Sequence, residues 1–119
     1  ADAQAHLAYA QRWVSHPNRW VRRFAVAMLW PLVKDKHWDN VPAALRLLSP
    51  AMKETDGEVR RAVADVLAQL APKSPTEVSR FLLEQVTRSN NPHTHWIIRN
   101  AMTTLGPEDQ TAIVRALRA

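Results

Sequence analysis

Apolar positions return every third or fourth residue along most of the chain, and three stretches carry that return in a common register. Trp20-Val21-Arg22-Arg23, Glu58-Val59-Arg60-Arg61 and Trp96-Ile97-Ile98-Arg99 align without a gap at a spacing of 38 residues. Downstream the register holds at Ala25, Val63 and Ala101 and again at Leu29, Leu67 and Leu105. Upstream it holds at Leu7, Leu45 and Leu83 and at Ala10, Leu48 and Val86. A fixed period of this length marks stacked supersecondary units, each too small to bury its own apolar face. The prediction is an all-α solenoid of helix pairs: three repeats of 38 residues and a C-terminal capping helix.

Punctuation residues divide the pattern into elements. The first helix is expected from about Asp2 to Ser15, stopping before His16-Pro17. Asn18 has the side chain of an N-cap for the second, whose stripe is Val21, Ala25, Met28, Leu29 and Leu32. Pro31 lies near its end, where the missing N–H predicts a kink. Pro42 sits in a first helical turn, and Ser49-Pro50 breaks that helix before Lys53. Asp56 caps a helix from about Gly57 to Ala71 with Val59, Val63, Val66, Leu67 and Leu70 inward. Ser74-Pro75-Thr76-Glu77 has capping-box spacing and opens a helix to about Arg88. Asn91-Pro92 starts the next, which is expected to end at Leu105 with Gly106 as a C-terminal stop. A last helix is expected over about Glu108 to Arg118.

Composition agrees with helices. Only two glycines are present, and aromatic residues make up 7%. No apolar run approaches the roughly 18 residues that a membrane span needs, and no signal peptide opens the chain. The absence of cysteine excludes disulfides and thiolate zinc sites and suits an intracellular, cytoplasmic protein. The chain reads as one domain over residues 1–119. It starts inside a helical pattern with no polar cap, so it is expected to be the C-terminal part of a longer protein. Sixteen Lys and Arg against eleven Asp and Glu leave a net charge of +5. That balance favours an anionic partner, nucleic acid before membrane.

The repeated arginine adds direction to that charge. On a wheel of roughly 100° per residue, Arg23 lies nearly opposite the apolar stripe of its helix. Arg19, Trp30 and Lys34 fall within about 40° of it, and Arg61 and Arg99 extend the row into the next repeats. Guanidinium groups along a concave wall suit a phosphate backbone, because each can donate two hydrogen bonds to one phosphate. Trp30 among them is placed to stack on a base or sugar. An alternative reading makes Arg61 and Arg99 structural, bonded to an acidic loop residue such as Asp39 or Asp56. Both stand for those two, whereas Arg23, flanked by Arg19, Arg22 and Lys34, is assigned to ligand contact. Trp20 and Trp96 are expected wedged between adjacent helices, and Trp13 within the first pair.

Catalytic and metal constellations are weak. His93 and His95 point about 200° apart on a helix and are expected at a solvated helix start. His6, His16 and His37 lack ligand spacing. No glycine-rich phosphate loop exists. No metal and no cofactor are expected. Asp65 falls one turn beyond Arg61, and a surface pair between them is the expected role.

Asp56-Gly57-Glu58-Val59-Arg60-Arg61-Ala62-Val63 through Leu67 resembles the HEAT-repeat consensus. The stretch from His16-Pro17-Asn18-Arg19-Trp20-Val21-Arg22-Arg23 resembles the Ser-x-Asn-x-Trp-x-Arg-Arg segment of the DNA alkylation repair family of HEAT-like proteins. Arg61-Ala62-Val63-Ala64-Asp65-Val66-Leu67 through Lys73-Ser74-Pro75, and Thr94-His95-Trp96-Ile97-Ile98-Arg99-Asn100-Ala101, are similar to later segments of that family. The resemblance covers about residues 12 to 105. It implies a HEAT-like α-solenoid that grips duplex DNA in a concave groove, in a protein that removes positively charged alkylated purines by glycosidic-bond hydrolysis. It also implies DNA contact for Arg23.

Departures from the family pattern leave the enzyme question open. In one branch the catalytic Asp and its partner Trp come from an upstream repeat, and a second groove Trp falls near Asp65. In the other branch an acidic residue falls on Ala27 and an aspartate near Gln69. Any catalytic carboxylate is therefore expected outside this segment. The expected function is DNA binding by an alkylpurine glycosylase-like protein through Arg19, Arg23, Trp30, Lys34, Arg61 and Arg99. The alternative is a noncatalytic scaffold that holds an acidic protein in the same groove.

Overall fold

The computed structural model describes residues 3–119, and every regular element in that range is helical. The α-helices are α1 (Ala3–Trp13), α2 (Arg19–Ala27), α3 (Trp30–Lys34), α4 (Val41–Leu48), α5 (Gly57–Leu70), α6 (Pro75–Arg88), α7 (Pro92–Ala101) and α8 (Pro107–Arg118). Short 3₁₀ segments, Ser49–Lys53 and Met102–Thr104, follow α4 and α7. The expected start of α1 at Asp2 lies outside the described residues. None of the described helices is long and apolar enough to cross a membrane.

The helices form two layers. In one, α1 packs on α4, α4 on α6, and α6 on α8; in the other, α2 packs on α5 and α5 on α7. This all-helical, side-by-side stacking is consistent with the α-solenoid class. The core follows the predicted stripes closely. Val59, Val63, Val66, Leu67 and Leu70 of α5 are all buried, as are Ala25, Leu29 and Leu32. Each fully buried Val or Leu side chain contributes roughly 1.5–3 kcal/mol.

Local chemistry sets the helix starts. Asn18 accepts from the Trp20 and Val21 N–H groups, Asp56 from those of Glu58 and Val59, and Asn91 from that of His93. Each satisfies first-turn donors that the helix itself cannot. Three expectations need correction. The second helix is interrupted rather than kinked, with a turn at Met28–Leu29 between α2 and α3, because Pro31 has no N–H to return to the Ala27 carbonyl. Ser74 makes no side-chain cap bond; its backbone carbonyl accepts from Val78 N–H instead. Gly106 does not stop α7, which already tightens into 3₁₀ geometry at Met102. It is the N-cap of α8, at an ordinary φ of −69°.

Side chains lock one helix pair to the next along both edges. On one edge Arg22 donates Nε and Nη2 to the two carboxylate oxygens of Glu54, both at 3.0 Å, and Nη1 to the His16 and Pro17 carbonyls. Arg60, one period on, donates to the Thr55 carbonyl and to His93 Nδ1, each at 3.0 Å, and lies 5.0 Å over the Trp96 ring. A guanidinium only donates, so His93 Nδ1 accepts there. On the other edge Lys73 Nζ donates to the Asp35 and Trp38 carbonyls at 2.9 and 2.8 Å. Thr94 and Thr104 add hydroxyl bonds to the Met52 and Ala68 carbonyls.

The Arg22–Glu54 pair is bidentate and mostly buried, with 20% and 8% of the two side chains exposed. Removing one partner strands the other charge, the costly case for a buried pair. Arg22→Met is expected to lower the unfolding free energy by about 2–3 kcal/mol, and Arg22→Met with Glu54→Met to recover part of the loss. Urea unfolding of the four-member cycle checks this; a single variant within about 0.5 kcal/mol of the parent would show that the latch is idle.

Candidate nucleic-acid interface

Because α2, α5 and α7 lie side by side, their outward faces form one continuous surface. On α5 the exposed stripe is Glu58, Arg61, Asp65 and Gln69; on α7 it includes Arg99, Asn100 and, just beyond, Thr103. On α2 it is Arg19, Trp20, Arg23 and Phe24, with Arg23 half-buried. The second arginine of each paired segment therefore faces away from the core, as the wheel predicts.

The first arginine of the pair behaves differently. Arg22 and Arg60 are the structural members, bonded to the loops before α2 and α5 and, for Arg60, to His93 at the start of α7. The expected carboxylate partners of the outward row are absent from it. Asp56 accepts from Arg19 at 3.1 Å, and no ion pair is present for Arg61, Arg99 or Asp39 among the described residues. The expected Arg61–Asp65 surface pair likewise does not form. Arg23 reaches Glu58 only at 4.0 Å, with 38% and 58% of the two side chains exposed, a contact of small energetic weight.

The remaining candidates divide. Arg19 bonds Asp56 and lies 4.6 Å over the Trp20 ring, with 54% of its side chain exposed. Lys34 is exposed at the end of α3. Trp30 departs from the predicted row: the break before α3 takes it off the helix that carries Arg23. Its ring packs against the core, and its indole N–H is sealed from solvent without an acceptor. What it offers the surface is part of a half-buried ring.

Other sequence readings change with the contacts. Trp20 is not wedged between helices but 55% exposed, and Phe24 is 56% exposed. Trp96 does lie between helices, beneath Arg60. Trp13 stacks at 5.9 Å from Tyr9 and 6.1 Å from Phe24. His93 and His95 are partnered rather than solvated, by Arg60 and by the Ser89 carbonyl at 2.9 Å. Trp38 is buried, with Lys73 at 5.9 Å from its ring. No group of three or more His, Cys, Asp or Glu is placed to hold a metal among the described residues. The structural role of Arg22 and Arg60 was missed in the sequence, although the two stand 38 residues apart and the series ends at Ile98.

A sequence model described as the DNA alkylation repair enzyme matches residues 1–105. No curated protein and no solved structure matches the chain.

Asp56 joins the cap of α5 to the charged surface. The Val59 backbone N–H, and then the Arg19 guanidinium, hold its carboxyl below the usual carboxylate range. A depressed folded value means that this stabilisation is complete above the usual carboxylate value. It is lost as pH falls from there through the lower folded value. Asp56→Asn keeps the cap acceptor and removes the charge. The variant is expected to be less stable than the parent at neutral pH, with the gap closing across that acidic window. Thermal unfolding of both proteins down the pH scale measures it, and a gap that stays constant into strong acid would contradict the assignment.

Proposed function

The chain belongs to the DNA alkylation repair enzyme family, and from that premise we propose that it binds duplex DNA across the face of α2, α5 and α7. In this reading the domain is a HEAT-like solenoid of three 38-residue repeats capped by α8. Its concave side follows the phosphate backbone within an alkylpurine glycosylase-like, cytoplasmic protein. Arg23, Arg61 and Arg99 carry the contact, Arg19 and Lys34 add charge beside them, and the half-buried Trp30 adds its accessible ring surface.

One observation carries the reading. Arg61 and Arg99 are exposed at equivalent register on adjacent packed helices, and neither forms an ion pair among the described residues. The latches formed by Arg22 and Arg60 support it further, since they hold the spacing between repeats on which a row of phosphate contacts depends. Outward carboxylates are few on this face, namely Glu58 and Asp65, and the net charge of +5 favours a polyanion over an acidic patch. The role is grip: no residue of the face is assigned to bond cleavage.

A second reading is favoured by a different feature. Trp20 and Phe24, each more than half exposed, line an apolar cavity of about 440 Å³ with Trp13 at the α1–α2 end, and the exposed Tyr9 ring lies beside Trp13. Exposed aromatic clusters of this kind mark protein interfaces, so a scaffold that holds a protein partner would use this end.

Fluorescence anisotropy with a duplex lacking sequence features distinguishes the two. Affinity is expected to fall steeply as salt rises. Arg61→Ala and Arg99→Ala are each expected to weaken binding and to reduce the log–log salt slope by about 0.9, one phosphate contact apiece. Salt-independent binding, or full affinity in the double variant, would overturn the phosphate-grip reading.

A further inference from the structure

A second basic feature lies off the α2–α5–α7 face. The 3₁₀ segment Ser49–Lys53, the C-terminal turn of α6 and the first turn of α7 enclose a cavity of about 590 Å³. Its polar walls are Ser49, Lys53, Gln85, Arg88, Ser89 and Thr94. Two cations line it, and no carboxylate does.

Gln85 is the telling residue. It is only 6% exposed, and its carboxamide makes no hydrogen bond among the described residues. The polar atoms sealed from solvent without a partner are Trp30 Nε1 and Arg60 Nε; the Gln85 amide is not among them, so it opens onto the cavity that it lines. A buried amide without a protein partner requires water or a ligand to complete its bonding. Ser89 Oγ already accepts from Asn91 N–H at 3.0 Å, which leaves its hydroxyl proton free to donate. Thr94 spends its proton on the Met52 carbonyl and serves as wall.

Lys53 and Arg88 each close a helical segment, where the backbone dipole contributes at most about −0.5 charge per end. Two full positive charges exceed that, and the cavity keeps a net charge of about +1. An ammonium, a guanidinium, an amide N–H and a hydroxyl around one space form the donor set for a tetrahedral oxyanion.

We propose that this cavity is a phosphate-binding site, held by Lys53, Arg88, Gln85 and Ser89 and separate from the arginine row. The phosphate belongs either to a small phosphorylated molecule or to a DNA backbone that reaches the edge of the fold.

The test is a nuclear magnetic resonance titration of the full chain with inorganic pyrophosphate. A saturable shift of the Gln85 side-chain amide and the Ser89 backbone amide is expected. Lys53→Gln with Arg88→Gln is expected to weaken it at least tenfold, and Arg88→Lys to retain most of it. A second titration uses duplex DNA without terminal phosphates. If the duplex moves the Gln85 amide and pyrophosphate competes, the source is the DNA backbone. If pyrophosphate alone moves it, the source is a small phosphorylated molecule. An unsaturated drift shared by every basic side chain, or no shift at Gln85 with either probe, would refute the site. Arg61→Ala with Arg99→Ala leaves pyrophosphate binding intact, so failure here and failure of the DNA-grip reading are read separately.

Discussion

Burial of the apolar stripe of α5 is the constraint on which the rest of the fold depends. Val59, Val63, Val66, Leu67 and Leu70 are each at most 1% exposed, yet no single neighbour covers them all. The stripe is closed by α2 and α3 on one side, α7 on the other and the 3₁₀ segments at its edges. A helix pair in isolation would leave much of this surface in water, at roughly 25 cal/mol for each Å². Stacking is therefore the condition for folding, and it lines up three helices with their polar faces outward.

Stacking by apolar contact alone tolerates sliding, because hydrophobic attraction is non-directional. Direction comes from polar side chains at the two edges. Arg22 and Arg60 each tie their helix to its own preceding loop. Arg22 also reaches Glu54 before α5, and Arg60 reaches His93 in the first turn of α7. Lys73 ties the opposite edge. These bonds are charge-assisted, and the Arg22–Glu54 pair is largely shielded from water, where such bonds are strongest. In the proposed DNA-grip reading the consequence is spacing: the packed helices hold the outward arginines at set intervals, as a ligand with a regular array of charges requires.

Adjacent arginines in one segment thus acquire opposite roles from a rotation of roughly 100°. Arg22 and Arg60 turn toward the loops and become part of the scaffold. Arg23, Arg61 and Arg99 turn away from it, and two of the three meet no carboxylate. Asp56 shows how closely the roles are joined, since it caps α5 and holds Arg19 at the same time. The cavity beside Gln85 is a third environment for basic groups, made where two helices end close together.

The inward stripes, the N-caps at Asn18 and Asp56 and the helix start at Asn91-Pro92 were legible in the sequence, because each depends on residues within one or two turns of one another. The outward orientation of Arg23, Arg61 and Arg99 was legible for the same reason. What lay beyond local periodicity was decided by tertiary structure. Whether Arg61 meets Asp65, whether Trp30 stays on the line of Arg23, and which carboxylate Arg22 finds depend on helix breaks and on partners more than thirty residues away. Pro31 announced a disturbance, but its extent was set by how α3 packs against α5. The Gln85 cavity had no local signature at all, since its walls come from three separate segments. Periodicity reports which face of a helix is wet; only the packed neighbours decide what that face, or the edge beside it, can hold.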